Sequence, residues 1–245
     1  MRELKTVVII PTYNEKENIE ILLADLLALP VNLSVIVVDD GSPDGTGQLA
    51  DQQAAKTDRV QVIHRASKLG LGTAYIAGFK RALSNGFDRI MTMDADFSHH
   101  PKYIPAMIEL SHECDMVIGS RYVKGGGTLN CPWKRRMLSQ GANAFTKFML
   151  SQRARDCTAG FRCYRREVLE SIDLDSIFSN GYSFLIEMLY YVQRRGWQIG
   201  EVPIVFEDRQ RGKSKISQNE VSRALQTVLR LEMRRMRGMF QREAR

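Results

Sequence analysis

Five short apolar runs, TVVIIP, LSVIVVDD, VQVIH, RIMTMDAD and DMVIGSR, punctuate the first half of the chain. Helical patterns separate them, over Glu17 to Leu29, Gly47 to Ala55, Gly72 to Leu83 and Pro101 to Glu113. The runs are apolar at nearly every position, as strands are when both of their faces are covered. Strands alternating with helices in this way predict a doubly wound α/β domain, a mostly parallel sheet flanked by helices. In the first helix Asn14 stands three residues before Glu17, the spacing of a capping-box variant, and Ile19, Leu22, Leu23 and Leu26 form its apolar stripe. The second half is less regular. It has a Gly-rich loop at 125 to 127, helices near Arg135 to Leu150 and Tyr182 to Arg195, and a strand in WQIGEVPIVFE. No repeat or low-complexity linker interrupts it, so the expectation is one domain with a short C-terminal extension.

At 245 residues and 44% hydrophobic composition the chain can bury a substantial core. Its formal charge is +7, and the stretch from Arg230 onward holds six arginines against Glu232 and Glu243, so +4 of that surplus lies at one end. An anionic partner is expected there. The cysteines, Cys114, Cys131, Cys157 and Cys163, form no CxxC pair, and MRELKTVVIIPTYNE has no signal-peptide pattern, so reduced thiols are expected. No run approaches the roughly 18 to 20 apolar residues that span a bilayer.

Polar residues collect where the predicted strands end: PTYNE (11 to 15), DDGSPDGT (39 to 46), DADFSHH (94 to 100) and GSRY (119 to 122). Open α/β sheets bind ligands at the carboxyl ends of their strands. DDGSPDGT has the composition of a turn, yet a carboxylate closing an apolar strand suits a nucleobase or ribose, and Asp39 is the candidate. In an extended segment Asp94 and Asp96 point the same way and converge on one divalent cation, Mg²⁺ or Mn²⁺, bridging a diphosphate. His99 and His100 point in different directions and have no thiol at ligand spacing, which argues against zinc. KLGLGTAYIAGFKRAL satisfies neither the dinucleotide fingerprint nor the P-loop pattern. Its glycines serve either close helix packing or ligand contact. Arg121, the WKRR run with Lys134, Arg135 and Arg136, and the loop EDRQRGKSK with Arg209, Arg211, Lys213 and Lys215 offer cations to an anionic ligand.

In this order the stretches VVIIPTYNEKENI, VIVVDDGSPDGT, LGLGTAYIAGF, MDADFSHHP, IGSRYVKGGG, DCTAGFRCYRREVLE, GYSFLIEMLY and FEDRQRGKSKI, across residues 7 to 216, resemble the family 2 glycosyltransferases of the GT-A fold, and within them the polyprenol (dolichol) phosphate mannose synthases. The resemblance implies transfer of mannose from GDP-mannose to a polyprenyl phosphate lipid, with inversion and with Mg²⁺ or Mn²⁺. It implies that Pro11, Tyr13, Glu15, Asp39, Asp44, Ala95, Arg209 and Lys215 take part in nucleotide-sugar binding, together with Asp94 and Asp96. Asp94 and Asp96 would also hold metal with Ser98, which stands where a common family form has Gln. Arg121, Arg135 and Ser139 would hold the acceptor phosphate, and Asp94, Asp96, Arg121 and Arg209 would carry catalysis.

Residues 1–216 would form the catalytic domain and 217–245 a basic C-terminal amphipathic helix. Val221, Ala224, Leu225, Val228, Leu229, Met236, Met239 and Phe240 share one face of it, while Arg223, Arg230, Arg234 and Arg237 share the other. The helix either binds an anionic membrane surface or packs its first part on the domain, and the matching expectation is a cytoplasmic protein, peripheral on the cytoplasmic face of a membrane, reached directly or through a membrane-anchored partner, with no nucleic acid involved. The alternatives are transfer of glucose or another sugar from a UDP- or GDP-sugar to this or another acceptor, and a basic membrane-binding module without activity.

Overall fold

The computed structural model describes residues 4–207 and 218–243, with the backbone alone for Lys134, Arg135, 218–221 and 237–243. The elements in chain order are β1 (Thr6–Thr12), α1 (Lys16–Leu27), β2 (Leu33–Asp39), α2 (Thr46–Ala54), β3 (Val60–His64), α3 (Leu71–Ser84), β4 (Arg89–Thr92), α4 (Ile104–Leu110), β5 (Met116–Ser120), β6 (Gly127–Leu129), α5 (Trp133–Leu150), β7 (Arg162–Arg165), α6 (Arg166–Glu170), α7 (Ser183–Arg194), β8 (Ile199–Pro203), β9 (Val205–Glu207) and α8 (Gln218–Glu243).

The main sheet has the order β3-β2-β1-β4-β7-β5-β8, and a two-stranded sheet pairs β6 with β9. All pairings are parallel except those of β7, which runs antiparallel to both β4 and β5. Alternation along β1 divides the core. Val7 and Ile9 face the α3, α6 and α7 side. Val8 and Ile10 face the α1 and α4 side, where Ile19, Leu22, Leu23 and Leu26 of α1 are fully buried. Each such side chain contributes roughly 1.5–3 kcal/mol of burial free energy, which explains why β1 has almost no polar position. Gly78 of α3 faces β1 so closely that a Cβ there would lie 2.4 Å from Ile9 Cγ2. One glycine of the KLGLGTAYIAGF stretch therefore serves helix packing.

Three expectations are corrected. Asn14 does not cap α1: it adopts the left-handed conformation (φ 57°), and Glu15 stands at the cap position without a side-chain cap bond. The free N–H groups at that helix end are taken up across the sheet edge instead. Asn14 N donates to Ser42 Oγ (3.0 Å), Glu15 N to Thr46 Oγ1 (2.9 Å) and Lys16 N to Asp44 Oδ2 (3.1 Å). β4 ends at Thr92, so the two aspartates lie on a bent segment rather than an extended one. Gly127, read as the end of a Gly-rich loop at 125 to 127, begins β6 instead, a strand whose partner β9 lies far away in sequence.

α8 packs on α5 and α7 through Val228 and Leu231, which join Leu150, Ile186 and Tyr190 in a third cluster. The apolar face expected of this helix is thus divided. Val228 is buried, Ala224 is half-buried, and Leu225, Leu229 and Met236 are exposed together with Met233. The side chains of Val221, Arg237, Met239 and Phe240 lie outside the described residues.

Candidate active site

The sheet changes direction of winding between β1 and β4, and the polar strand ends meet there. A cavity of about 270 Å³ opens at this crevice, lined by Pro11, Thr12, Tyr13 and Glu15 after β1, Asp40 after β2, Lys68, Gly70, Leu71 and Ala74 at the start of α3, Asp94 and Ala95 after β4, Asn180, Gly181 and Tyr182 before α7, and Arg223 of α8. The Lys68 ammonium sits 4.4 Å from the centroid of the Tyr13 ring. Gly70 has φ 101°, and a Cβ on it would lie 2.5 Å from the Asn180 amide. Asn180 crosses from the loop before α7 to accept from Gly72 N (3.1 Å) and to donate to Leu69 O (3.2 Å). The KLGLG turn therefore lines the cavity while Gly78 packs.

Asp39 and Asp44 do not line this cavity. Asp39 accepts from Thr12 Oγ1 (2.9 Å), Ser42 Oγ (2.5 Å) and Ser42 N (3.0 Å), which ties the ends of β1 and β2 together. Asp44 accepts from Thr46 and from Lys16 N. Desolvation raises its pKa, but these hydrogen bonds outweigh it and hold the carboxyl below its ordinary value. The carboxylate that reaches the cavity from DDGS is Asp40, held by Arg65 Nε (2.5 Å) and Gly70 N (3.2 Å). Sequence reasoning passed over it because two adjacent aspartates look alike until β2 assigns them opposite faces.

Asp94 and Asp96 both line a second cavity of about 160 Å³. Phe97 between Asp96 and Ser98 has φ 59°. Such a conformation costs an aromatic residue on the order of 1–3 kcal/mol and recurs at functional turns. Asp94 Oδ1 accepts from Tyr75 Oη at 3.2 Å. Asp96 Oδ1 accepts from both the backbone N (3.1 Å) and Oγ (2.5 Å) of Ser98. Ser98 thus stands behind Asp96 as a donor that orients it. Among the described residues no group of three His, Cys, Asp or Glu is placed to hold a metal. A cation between two carboxylates would draw its other ligands from water and phosphate oxygens, the coordination that suits Mg²⁺ or Mn²⁺, so the residues present fit such an ion.

The histidines are neighbours of this site. His100 Nδ1 accepts from Lys102 N (3.1 Å) and caps the turn that follows. His99 is buried against Phe161 and Phe206, its Nδ1 3.9 Å from Asp94 Oδ2. Burial lowers its pKa below the ordinary 6.5, against the pull of Asp94 and Asp96.

The second cavity shares Asp94 and Tyr182 with the first. Arg121, Tyr122, Arg136, Ser139 and Thr158 are among its other polar members, and Leu138, Ala142, Ile186, Phe206 and Ala224 give it an apolar side. Arg121 donates Nε and Nη2 to the two oxygens of Asp156 (2.7 and 2.8 Å), and Nη2 also to Thr158 Oγ1 (2.7 Å). The guanidinium lies over the rings of Tyr122 and Phe206, 5.1 and 5.4 Å from their centroids. Ser139 Oγ is 3.0 Å from Tyr122 Oη. The Arg135 side chain lies outside the described residues, as do Arg209 and Lys215; of the side chains of the WKRR run that are described, Arg136 lines the cavity.

The structure thus brings together Pro11, Tyr13, Glu15, Asp94, Ala95, Asp96, Ser98, Arg121 and Ser139. It adds Asp40, Lys68, Asn180, Tyr182, Thr158 and Arg223. Of these, Asp40, Lys68, Tyr182 and Thr158 fell within stretches already singled out, DDGSPDGT, KLGLGTAYIAGFKRAL, GYSFLIEMLY and DCTAGF, whereas nothing in the sequence near Arg223 ties it to the strand ends.

Residues 7–173 match the model of glycosyl transferase family 2. The chain is 45% identical over 241 residues to a polyprenol monophosphomannose synthase of Mycolicibacterium smegmatis, covering 96% of this chain and 91% of the relative. It is also 45% identical over 227 residues to an undecaprenyl-phosphate mannosyltransferase of Micrococcus luteus, covering 93% of each. Among solved structures, mannosyl-3-phosphoglycerate synthase from Rubrobacter xylanophilus superposes with a TM-score of 0.68 at 20% identity, over 97% of this chain and 75% of that one. Glucosyl-3-phosphoglycerate synthase from Mycobacterium tuberculosis, in complex with Mn²⁺, UDP and its product, gives 0.65 at 19% identity, over 92% and 79%. With a family match across its first seven strands and near-full-length relatives at this identity, the chain belongs to glycosyl transferase family 2.

Proposed function

We propose that the protein transfers mannose from GDP-mannose to the phosphate of a polyprenyl monophosphate, with inversion at the sugar carbon. The observation that carries this reading is the pair of cavities that share Asp94 and Tyr182: one lined by Tyr13, Glu15, Asp40 and Lys68, the other apolar on one side with Arg121 among its polar members. Pro11, Tyr13, Glu15, Asp40 and Ala95 would hold the nucleoside, while Asp39 and Asp44 fix the loop that presents Asp40. Arg209 and Lys215 would add cations from the segment between β9 and α8. The names of the two mannosyl-transferring relatives support the choice of sugar and of a lipid phosphate acceptor.

The chemistry needs no strong general base. A phosphate monoester has a second pKa near about 6, so an acceptor oxygen is already anionic at neutral pH. That oxygen attacks the anomeric carbon as the bond from this carbon to the diphosphate oxygen breaks, and the nucleoside diphosphate leaves. Arg121, Arg136 and Ser139 would align the acceptor phosphate, the role sequence reasoning also gave Arg135, and Asp156 keeps the Arg121 guanidinium in place for it. A divalent cation bound by Asp94 and Asp96 would neutralise charge on the departing diphosphate. Ser98 would serve by holding Asp96 in register.

No helix among the described residues is long and apolar enough to cross a membrane. Contact with a membrane surface would come through Leu225, Leu229, Met233 and Met236, spaced four, four and three residues apart on the outer side of α8 and each 43 to 49% exposed. Exposed Trp133, Met137 and Phe148 of α5 extend the apolar surface. A cytoplasmic-face location and a membrane-anchored partner belong to the same reading.

The deciding experiment offers the purified protein a panel of GDP- and UDP-sugars with polyprenyl phosphate and Mg²⁺ or Mn²⁺, and identifies the lipid product. Mannosyl lipid from GDP-mannose alone is expected; a glucosyl lipid, or no lipid product, refutes the assignment.

A further inference from the structure

The sequence leaves the first part of α8 to a membrane surface or to packing on the domain, and two consecutive residues near its start line the two cavities. Arg223 lines the first cavity and Ala224 the second. Asp94 and Tyr182 line both cavities, and because Arg223 and Ala224 are consecutive, Arg223 stands near the end where the two cavities join.

The helix that carries Arg223 is held firmly on the domain. Val228 and Leu231 are buried to 1 and 0% exposure, and the guanidinium groups of Arg230 and Arg234 lie 4.2 and 4.7 Å from the centroid of the Phe178 ring. Phe178 opens the loop that supplies Asn180, Gly181 and Tyr182 to the first cavity. Buried Glu187 pins this loop by accepting from Ser179 N (2.8 Å) and Phe178 N (3.4 Å). α8 and the cavity wall are therefore seated on the same loop. A cation on such a helix is positioned before the ligand arrives, which reduces the ordering cost of binding.

We propose that Arg223 is a donor-binding residue whose guanidinium contacts the diphosphate of the nucleotide sugar. The inference rests on the glycosyl-transfer reading above. With the nucleoside at the Tyr13 and Lys68 end and the sugar directed toward the acceptor cavity, the diphosphate lies at the junction. A planar guanidinium matches paired phosphate oxygens there. The C-terminal helix is then part of the active site rather than a membrane attachment alone, and a chain shortened before α8 loses a substrate contact.

The test measures equilibrium binding of GDP and of guanosine, in Mg²⁺, to the full chain and to Arg223→Ala, Arg223→Gln and Arg223→Lys, alongside steady-state KM values for donor and lipid phosphate. Loss of a charge-assisted phosphate contact should weaken GDP binding about tenfold in Arg223→Ala and Arg223→Gln, with guanosine binding changed less than about twofold. Arg223→Lys should recover part of the loss, and the donor KM should rise while the lipid KM holds. GDP binding within about twofold of wild type in Arg223→Gln, at unchanged melting temperature, overturns the proposal alone. Equal losses for GDP and guanosine also overturn it, because they indicate a disturbed pocket. A wild-type protein that binds no nucleoside diphosphate overturns both this inference and the reading beneath it.

Discussion

Arg121, one residue past β5, and Asp156, in the loop before β7, form a two-pronged ion pair with Nε–Oδ2 and Nη2–Oδ1 distances of 2.7 and 2.8 Å, and the aspartate side chain is fully buried. A third bond, from the Arg121 backbone N to Asp156 Oδ2 (3.1 Å), joins the two segments directly. Burial raises the pKa of Asp156, but the hydrogen bonds and charge of Arg121 outweigh it and hold the carboxyl below its ordinary 3.8. The pair fixes a guanidinium in the wall of the second cavity, and in the proposed reaction Asp156 so engaged would be a positioning residue rather than a base.

Asp156→Asn leaves a buried guanidinium without its counter-charge, which should cost about 3–5 kcal/mol of stability. Because the folded pKa is depressed, the carboxylate contributes its stabilisation fully above the unfolded pKa near 3.8 and loses it as pH falls through the lower folded value. Urea unfolding between pH 6 and pH 3 should therefore show the gap between wild type and variant narrowing below about pH 4. A gap that stays constant to pH 3 contradicts the assignment.

Asp96→Ala should abolish sugar transfer, by about a thousandfold or more, with the fold kept. Ser98→Ala should act more mildly, since Ser98 orients Asp96: the Mg²⁺ or Mn²⁺ concentration for half-maximal activity should rise about 10- to 100-fold with less change at saturating metal. Metal titrations of both variants separate the roles, and an inactive Ser98→Ala at every metal concentration makes Ser98 a direct participant.

Gly78→Ala places a methyl group 2.4 Å from Ile9 Cγ2 between α3 and β1. Neither element can retreat without disturbing its own packing, so a loss of about 1–3 kcal/mol is expected. Chemical denaturation reads it directly, and a variant as stable as wild type shows that α3 can lift from the sheet.

Replacing Leu229 and Met233 together by Glu should leave the melting temperature close to wild type, since both are exposed. Binding to vesicles containing anionic lipid should fall about tenfold or more, because apolar insertion is replaced by like-charge repulsion. Co-sedimentation checks this, and undiminished binding removes α8 from the membrane contact.

All four cysteines are free thiols. Burial pushes Cys157 and Cys163 up to about 12, whereas Cys114 and Cys131 are only half-buried. A thiol-specific chromogenic reagent at pH 8 should modify two groups in the native protein and four after unfolding. Four rapid equivalents without denaturant would mean that the sheet around Cys163 opens readily.

How much was legible in the sequence follows the reach of the interactions involved. β1, β2, β3 and the helices between them were readable because each is specified by its own run of apolar residues, and the same periodicity put Asp94, Arg121 and Tyr13 at strand ends. β7 inserted antiparallel between β4 and β5, and β6 paired with β9, escaped notice. Each is three or four residues long and is stabilised by partners more than forty residues away.

The sequence by itself determined the layered α/β architecture, the strand ends at which a site would form, and a set of motifs that names a family. Only the tertiary structure decided which of two adjacent aspartates faces the cavity, that Asp39 and Asp44 tie loops together, that Asp156 anchors Arg121, and that α8 places Arg223 among the residues lining the first cavity. Periodicity reports which face of an element is buried, whereas the pairing of charges across loops depends on where distant segments are brought by the packing of the core.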